Sequence, residues 1–298
     1  MGFTGELAAI GTAIAFAATS TLFTIAGREL GALVVNRMRL LIAVVVIVTL
    51  HWVSIGDPLP VNAASNSWYW LGLSGFIGLA IGDALLFQAF VMIGTRLSML
   101  IMALVPVIGT VLARIFMDEV LSAQQLAGIA ITVAGIAWVV GEKDQNGRKM
   151  DSRSFATGLL LAFGGALGQA TGLLTAKAGL VEGFPALSGL VIRILVATIA
   201  MWGMTMVNGN VRAGFHSLAQ HPRSSRLLVV GTVTGPVIGV WLSLIAVQNA
   251  PVGIASTLMA LTPIFLLPIA YVVFKDKITR HTIIGTLVAF AGTALLFL

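Results

Sequence analysis

The side chains able to do chemistry in this sequence are few, and the sharpest of them interrupt apolar runs. Asp83, in Gly78-Leu79-Ala80-Ile81-Gly82-Asp83, is the only carboxylate deep inside such a run. A charge held at that depth is costly and by default functional. Asp83 would take up and release a proton if its surroundings alternate between dry and wet, or it would be a structural partner of Arg39 or Arg96. Arg39 and Arg193 each stand early in an apolar segment. A guanidinium can grip a carboxylate through two parallel hydrogen bonds, or its stem can reach back to the water interface. Gln88, Gln169, Gln248 and Asn249, with the hydroxyls of Ser98 and Thr257, would bond a polar ligand or bridge neighbouring helices.

Two prolines add a backbone device. Pro106 and Pro263 withhold an N–H, so the carbonyls of Met102 and Met259, four residues back, lose their usual partners. In hydrocarbon such a break is expected to face protein or a wet cavity, which makes both prolines candidate hinges of a gate. Met102 and Met259 would offer adaptable, polarizable contacts beside them, and Phe163 and Trp241 would line an apolar cavity or face lipid. The four histidines, His51, His216, His221 and His281, fall at segment ends or in loops without ligand spacing, and cysteine is absent. Neither a metal site nor a cofactor is expected. No phosphate-cradling loop, Gly-x-Ser-x-Gly or His-Glu-x-x-His pattern occurs, so ATPase and hydrolase machinery is excluded.

Membrane helices must position these groups. Of 298 residues, 58% are hydrophobic and 9% charged, against about 25% charged in soluble domains, and the mean hydropathy is +1.02. About 20 mostly apolar residues cross a bilayer. Ten segments qualify: 4–25, 32–52, 68–91, 96–117, 123–141, 155–176, 185–207, 227–248, 254–274 and 279–298. The expected class is an all-α polytopic protein of the cell (inner) membrane with the lipid bilayer as solvent. The first segment lacks a basic n-region and reads as a retained span. Loop chemistry is strongest at 53–67 and 208–226, while 142–154 is the most charged connector. Trp68, Tyr69 and Trp70 read as an interfacial belt. The net charge of +6 then concerns topology rather than nucleic acid.

An internal repeat organises the spans. A shift of 157 residues lays 71–141 on 228–298 without a gap: Gly78 and Gly82 fall on Gly235 and Gly239, and Pro106 on Pro263. The same shift lays Glu119 on Asp276 and Gly128 and Gly135 on Gly285 and Gly292, while Asp83 meets Val240. Arg39 and Arg193 correspond more loosely, at a shift of 154. The repeats are 1–141 and 155–298, joined by a charged linker at 142–154. Five helices per repeat is odd, so the copies must be inverted, an architecture of many secondary transporters with the substrate site near the midplane. The glycine pairs four or seven residues apart are read as close helix contacts.

Two such repeats, each with an intramembrane Ala-Leu-x-Pro, a carboxylate after that helix and a final helix carrying Gly-x6-Gly, resemble the EamA-type branch of the drug/metabolite transporter superfamily. Arg39 and Arg193 fit the same pattern. Glu6 lies near a helix end, unlike the mid-helix coupling glutamate of the small multidrug-resistance relatives. The resemblance implies a secondary transporter that exports amino acids or other small metabolites through a cavity between the repeats. Protons are the candidate coupling ion, and the oligomeric state is open, a monomer included. The alternatives are a passive channel, and a membrane-embedded enzyme for which no polar catalytic cluster is visible.

Lysines and arginines set the expected orientation. Arg28, Arg96, Arg153, Arg212, Arg223, Arg226 and Arg280, with Lys143, Arg148, Lys149, Lys275 and Lys277, fall in odd-numbered loops, against Arg114 and Lys177 on the other side. The positive-inside rule places the odd loops in the cytoplasm. Reporter fusions within 142–154 should read as cytoplasmic and fusions at either end as external. Cytoplasmic readings at both ends would reverse the orientation.

Overall fold

A computed structural model describes residues 3–117, 122–141, 151–180, 184–207, 211–275 and 278–296, all helix and connector. The expectations on Glu119 and Asp276, and on the linker before Asp151, lie outside these residues. The helices are α1 (Thr4–Leu30), α2 (Ala32–Ile55), α3 (Ser65–Ile93), α4 (Thr95–Met102 and Val105–Met117) and α5 (Ala123–Val140). They continue as α6 (Ser152–Gly179), α7 (Ala186–Val207), α8 (Pro222–Asn249), α9 (Val252–Met259 and Thr262–Phe274) and α10 (Arg280–Leu295). Among the described residues nine helices are long and apolar enough to cross a membrane. The tenth, α10, has 16 described residues and lies along α5.

The stretch 208–226, expected as a loop, contains a short helix, Val211–Gln220. Its apolar residues fall on one face: Phe215 packs 5.8 Å from Trp202, and Leu218 covers a buried cluster that includes Met38 and Leu228. Tight links set the other connections. Gly31, at φ +88°, and Gly94, at φ +83°, turn the chain from α1 to α2 and from α3 to α4 in one residue, a conformation open to glycine and strained for others.

Lipid is as apolar as leucine, so these helices are held by close packing and internal hydrogen bonds. Leu40, Ile47, Leu71, Leu190, Leu244 and Val247 form the main buried cluster, between α2, α3, α7 and α8. The glycine pairs read from the sequence are seams. A Cβ on Gly78 would lie 3.6 Å from Gly172 Cα, and one on Gly168 would lie 2.7 Å from Gly82 Cα, so α3 and α6 touch along their backbones. The last helices of the repeats meet likewise: a Cβ on Gly135 would lie 2.5 Å from the Ala289 nitrogen, and one on Gly128 2.8 Å from the Gly292 carbonyl.

Equivalent irregularities recur in both repeats. Residues Gly75–Gly82 of α3 and Val233–Gly239 of α8 are π-helical, a wide turn of the kind concentrated at functional sites. Helices α4 and α9 both break just before their proline. At 103–104 and 260–261 the N–H groups of Leu104 and Leu261 reach only three residues back, to Ile101 and Leu258. Pro106 and Pro263 therefore sit in the first turn of a restarted helix, where a missing N–H costs little. The Met259 carbonyl, expected to be orphaned by Pro263, accepts the Thr262 hydroxyl at 2.7 Å.

The tightest seam gives a direct test of this packing. A Cβ on Gly75 would fall 2.1 Å from the Arg193 carbonyl oxygen, whereas one on Gly203 meets nothing within 4 Å. Gly75→Ala should lower stability by about 1–3 kcal/mol, as overpacking does. Gly203→Ala should be neutral or stabilising by up to about 1 kcal/mol, because alanine is the better helix former. Apparent Tm of the two purified variants measures the contrast, and equal values would mean that α3 and α7 do not pack this closely.

Candidate functional site

The site grows out of the π turn in α3. In an α-helix the Asp83 N–H would bond the Leu79 carbonyl; here it bonds Gly78, five residues back. Leu79 is left with a free acceptor, and Arg39 of α2 takes it. The Arg39 Nη2 donates to the Leu79 carbonyl at 2.9 Å and to Asp83 Oδ2 at 2.5 Å. Asn36, one turn earlier on α2, holds the guanidinium from the other side. Its Oδ1 accepts from Nε at 3.0 Å and Nη2 at 2.8 Å, and its own Nδ2 donates to the Ala80 carbonyl at 3.2 Å. The Phe87 ring lies 4.8 Å from the guanidinium carbon. The second Asp83 oxygen, Oδ1, accepts from Gln169 Nε2 of α6 at 2.6 Å. The pair that the sequence left undecided is therefore Asp83 with Arg39.

Arg193 of α7 reaches the same place from the other repeat. It is 2% exposed, as is Arg39, so neither snorkels to water. Its Nη2 lies against Gly78, 3.7 Å from where a Cβ would stand. Its Nε and Nη1 are buried with no hydrogen-bond partner. Two guanidinium groups thus converge on the π turn of α3, and the carboxylate there is bonded to Arg39 and Gln169.

These groups form part of the wall of a cavity of about 980 Å³, mouth included. Of helices α1 to α10, all but α5 and α10 contribute to the lining. Phe16 and Phe23 of α1, Phe87 and Phe90 of α3, and Leu86 and Leu173 make much of it apolar. Of the residues singled out from sequence, Arg39, Asp83, Met102, Pro106, Gln169, Arg193, Met259 and Pro263 line this space. Gln88, Ser98, Phe163, Trp241 and Thr257 do not. Neighbouring helix positions differ by about 100°, so with Val240 and Ser243 on the lining, Trp241 turns aside and packs on the core cluster. Ser98 donates to the Gly94 carbonyl at 2.8 Å, Thr257 is buried without a partner for its hydroxyl, and Phe163 is 46% exposed on the periphery. Gln248 and Asn249 bond the Phe184 and Ile245 carbonyls at 2.8 Å.

Sequence reasoning missed Asn36, the α1 aromatics and Pro236. Asn36 had a signal: an amide three residues before an arginine inside an apolar run stands directly beside it on the helix. Pro236 lies inside the second π turn and brings no N–H to it. The Gly231 carbonyl one turn below accepts the Thr19 hydroxyl at 2.7 Å.

The sequence profile of the EamA-like transporter family matches the chain twice, over residues 3–141 and 156–298. The chain belongs to that family and is a multi-pass membrane protein of the transporter type. No curated protein matches it. Among the solved structures that resemble it, one crystal structure does so with a TM-score of 0.67 at 17% identity, over 99% of this chain and 98% of the other, a likeness of fold.

The ion pair yields the next prediction. Removing one partner of a buried pair costs about 3–5 kcal/mol, because the other charge is left uncompensated. Asp83→Asn should lower the apparent Tm correspondingly, and Arg39→Met in the same chain should recover much of the loss. An unchanged Tm in the single variant would mean that the pair does not hold α2 to α3.

Proposed function

We propose that this member of the EamA-like family is a secondary carrier of small organic solutes, amino acids or related metabolites, working in the export direction. The observation that supports this reading best is the cavity. Both repeats wall it, the two broken helices flank it, and among the described lining residues the one carboxylate, Asp83, is held in a buried pair. A bound solute would sit among α1, α3, α4, α6, α8 and α9, near the middle of the bilayer.

Alternating access would come from rocking of one repeat against the other, with α4 and α9 flexing at 103–104 and 260–261. The seam between α5 and α10, away from the cavity, would serve as the axis. Odd-numbered loops face the cytoplasm in this reading. A proton would be the coupling ion only if the Arg39–Asp83 pair opens during the cycle, since both carboxylate oxygens accept hydrogen bonds in this state.

Counterflow tests the carrier reading: unlabelled solute inside proteoliposomes should accelerate uptake of the labelled solute, which a simple pore would not do. The breaks supply a second readout. Pro106→Ala and Pro263→Ala each restore an N–H that can reach back to the Met102 or Met259 carbonyl and stiffen the helix. Each should slow exchange several-fold while leaving solute affinity within about twofold. Wild-type exchange rates in both would remove the breaks from the transport cycle.

A further inference from the structure

Among the described residues Arg193 has two guanidinium nitrogens, Nε and Nη1, buried without a hydrogen-bond partner. The second repeat lacks a counterpart of the Arg39–Asp83 pair. At the position equivalent to Asp83 stands Val240, which also lines the cavity, so that position gives Arg193 no carboxylate. The carboxylate of the first repeat has Arg39 on one oxygen and Gln169 on the other. The remaining polar lining does not supply an acceptor charge either. Ser20, Ser243, Ser256 and Thr262 all donate to carbonyls of their own helices. A buried donor left without a partner is rare and asks for an explanation, and a guanidinium fork fits a planar carboxylate through two hydrogen bonds.

We propose that Arg193 is the anchor for a negatively charged carboxylate on the transported solute, so that the substrate class is organic acids with an apolar body. This deepens the carrier reading and rests on it. The solute would supply the counter-ion that Val240 fails to supply, and its apolar part would lie against Phe16, Phe23, Phe87 and Phe90. Among the described residues the cavity wall offers no free carboxylate for an ammonium group. A deaminated acid such as 3-phenylpropanoate should therefore bind better than its zwitterionic relative phenylalanine, and far better than the neutral amide 3-phenylpropanamide.

The test uses the full-length protein in nanodiscs with these three compounds and chloride as ligands, read by apparent Tm and by equilibrium binding. Counterflow of the acid and the amide is measured in proteoliposomes. The acid should raise the Tm and bind at least about 30-fold more tightly than the amide, the scale expected when a buried charge pair loses one partner. Arg193→Gln should erase that preference, and Val240→Asp should also erase it by filling the site from within, with the fold retained. Two independent variants guard against simple misfolding. No acid-over-amide preference in the wild type, a preference that survives Arg193→Gln, or an equal Tm rise from chloride alone would each overturn the proposal. If acid and amide show equal counterflow, the carrier reading stands and the anion anchor falls. If the acid binds through Arg193 but shows no counterflow, the anchor stands and the carrier reading falls.

Discussion

Arg39 can stay in the middle of this protein because α3 gives up one of its own hydrogen bonds. A charged side chain at the centre of a spanning helix costs about 2.5–3.5 kcal/mol even on the mildest scale, so both its charge and its donors need partners. Asp83 answers the charge. The π turn at Gly75–Gly82 answers the donors, because shifting the Asp83 N–H to Gly78 releases the Leu79 carbonyl towards α2. Asn36 and Gln169 then complete the set from α2 and α6. The turn is wide enough for this only because glycine lines it. Gly75, Gly78 and Gly82 let α6 and α7 press directly on the α3 backbone, which brings Gln169 and Arg193 within reach.

The same scaffold without the same charges explains the asymmetry of the molecule. Helix α8 repeats the π turn, with the Val240 N–H also bonded five residues back, to Gly235. Carbonyls just before it and at its end accept hydroxyls of α1 instead: Gly231 from Thr19 and Gly239 from Thr12. The first repeat thus spends its π turn on an ion pair and the second on neutral contacts with α1. Arg193 is the remainder of that difference, a cation retained where its carboxylate is not. Buried charge is tolerated in a membrane protein when it is compensated, and the proposed solute carboxylate would supply that compensation to Arg193.

The helical class, the spans and the two-repeat plan were legible because they rest on strong, periodic signals. Long apolar runs admit only helices in lipid, and Gly78, Gly82, Pro106 and their counterparts recur without a gap. The helix breaks were half legible. Pro106 and Pro263 marked the places, but the chain ends one helix at Met102 or Met259 and restarts at Val105 or Thr262, so the prolines end in first turns. The π turns were invisible, since nothing in the local pattern separates five-residue from four-residue closure. Cavity membership was the least legible of all. A one-residue step turns a side chain by about 100°, so Trp241 and Val240 are equivalent by composition and differ entirely in what they face.

The placement of rigid and compliant parts follows from these same bonds. Where α5 meets α10, glycines bring backbone onto backbone, and a Cβ at Gly292 would lie 2.4 Å from the Thr132 nitrogen. Such a seam has no slack, and packed surfaces of this kind shift as units rather than deform. Helices α4 and α9 are the reverse: each is cut just before its proline, where the N–H of Leu104 or Leu261 closes on only three residues. In the proposed cycle movement would therefore concentrate at 103–104 and 260–261, where Ala103 and Ala260 line the cavity. A solute bound beside Arg193 would touch both the fixed charge pair of α2 and α3 and the compliant breaks. Its occupancy and the shape of the wall are thereby linked through contacts a few ångströms long, with no need for a signal from a distant site.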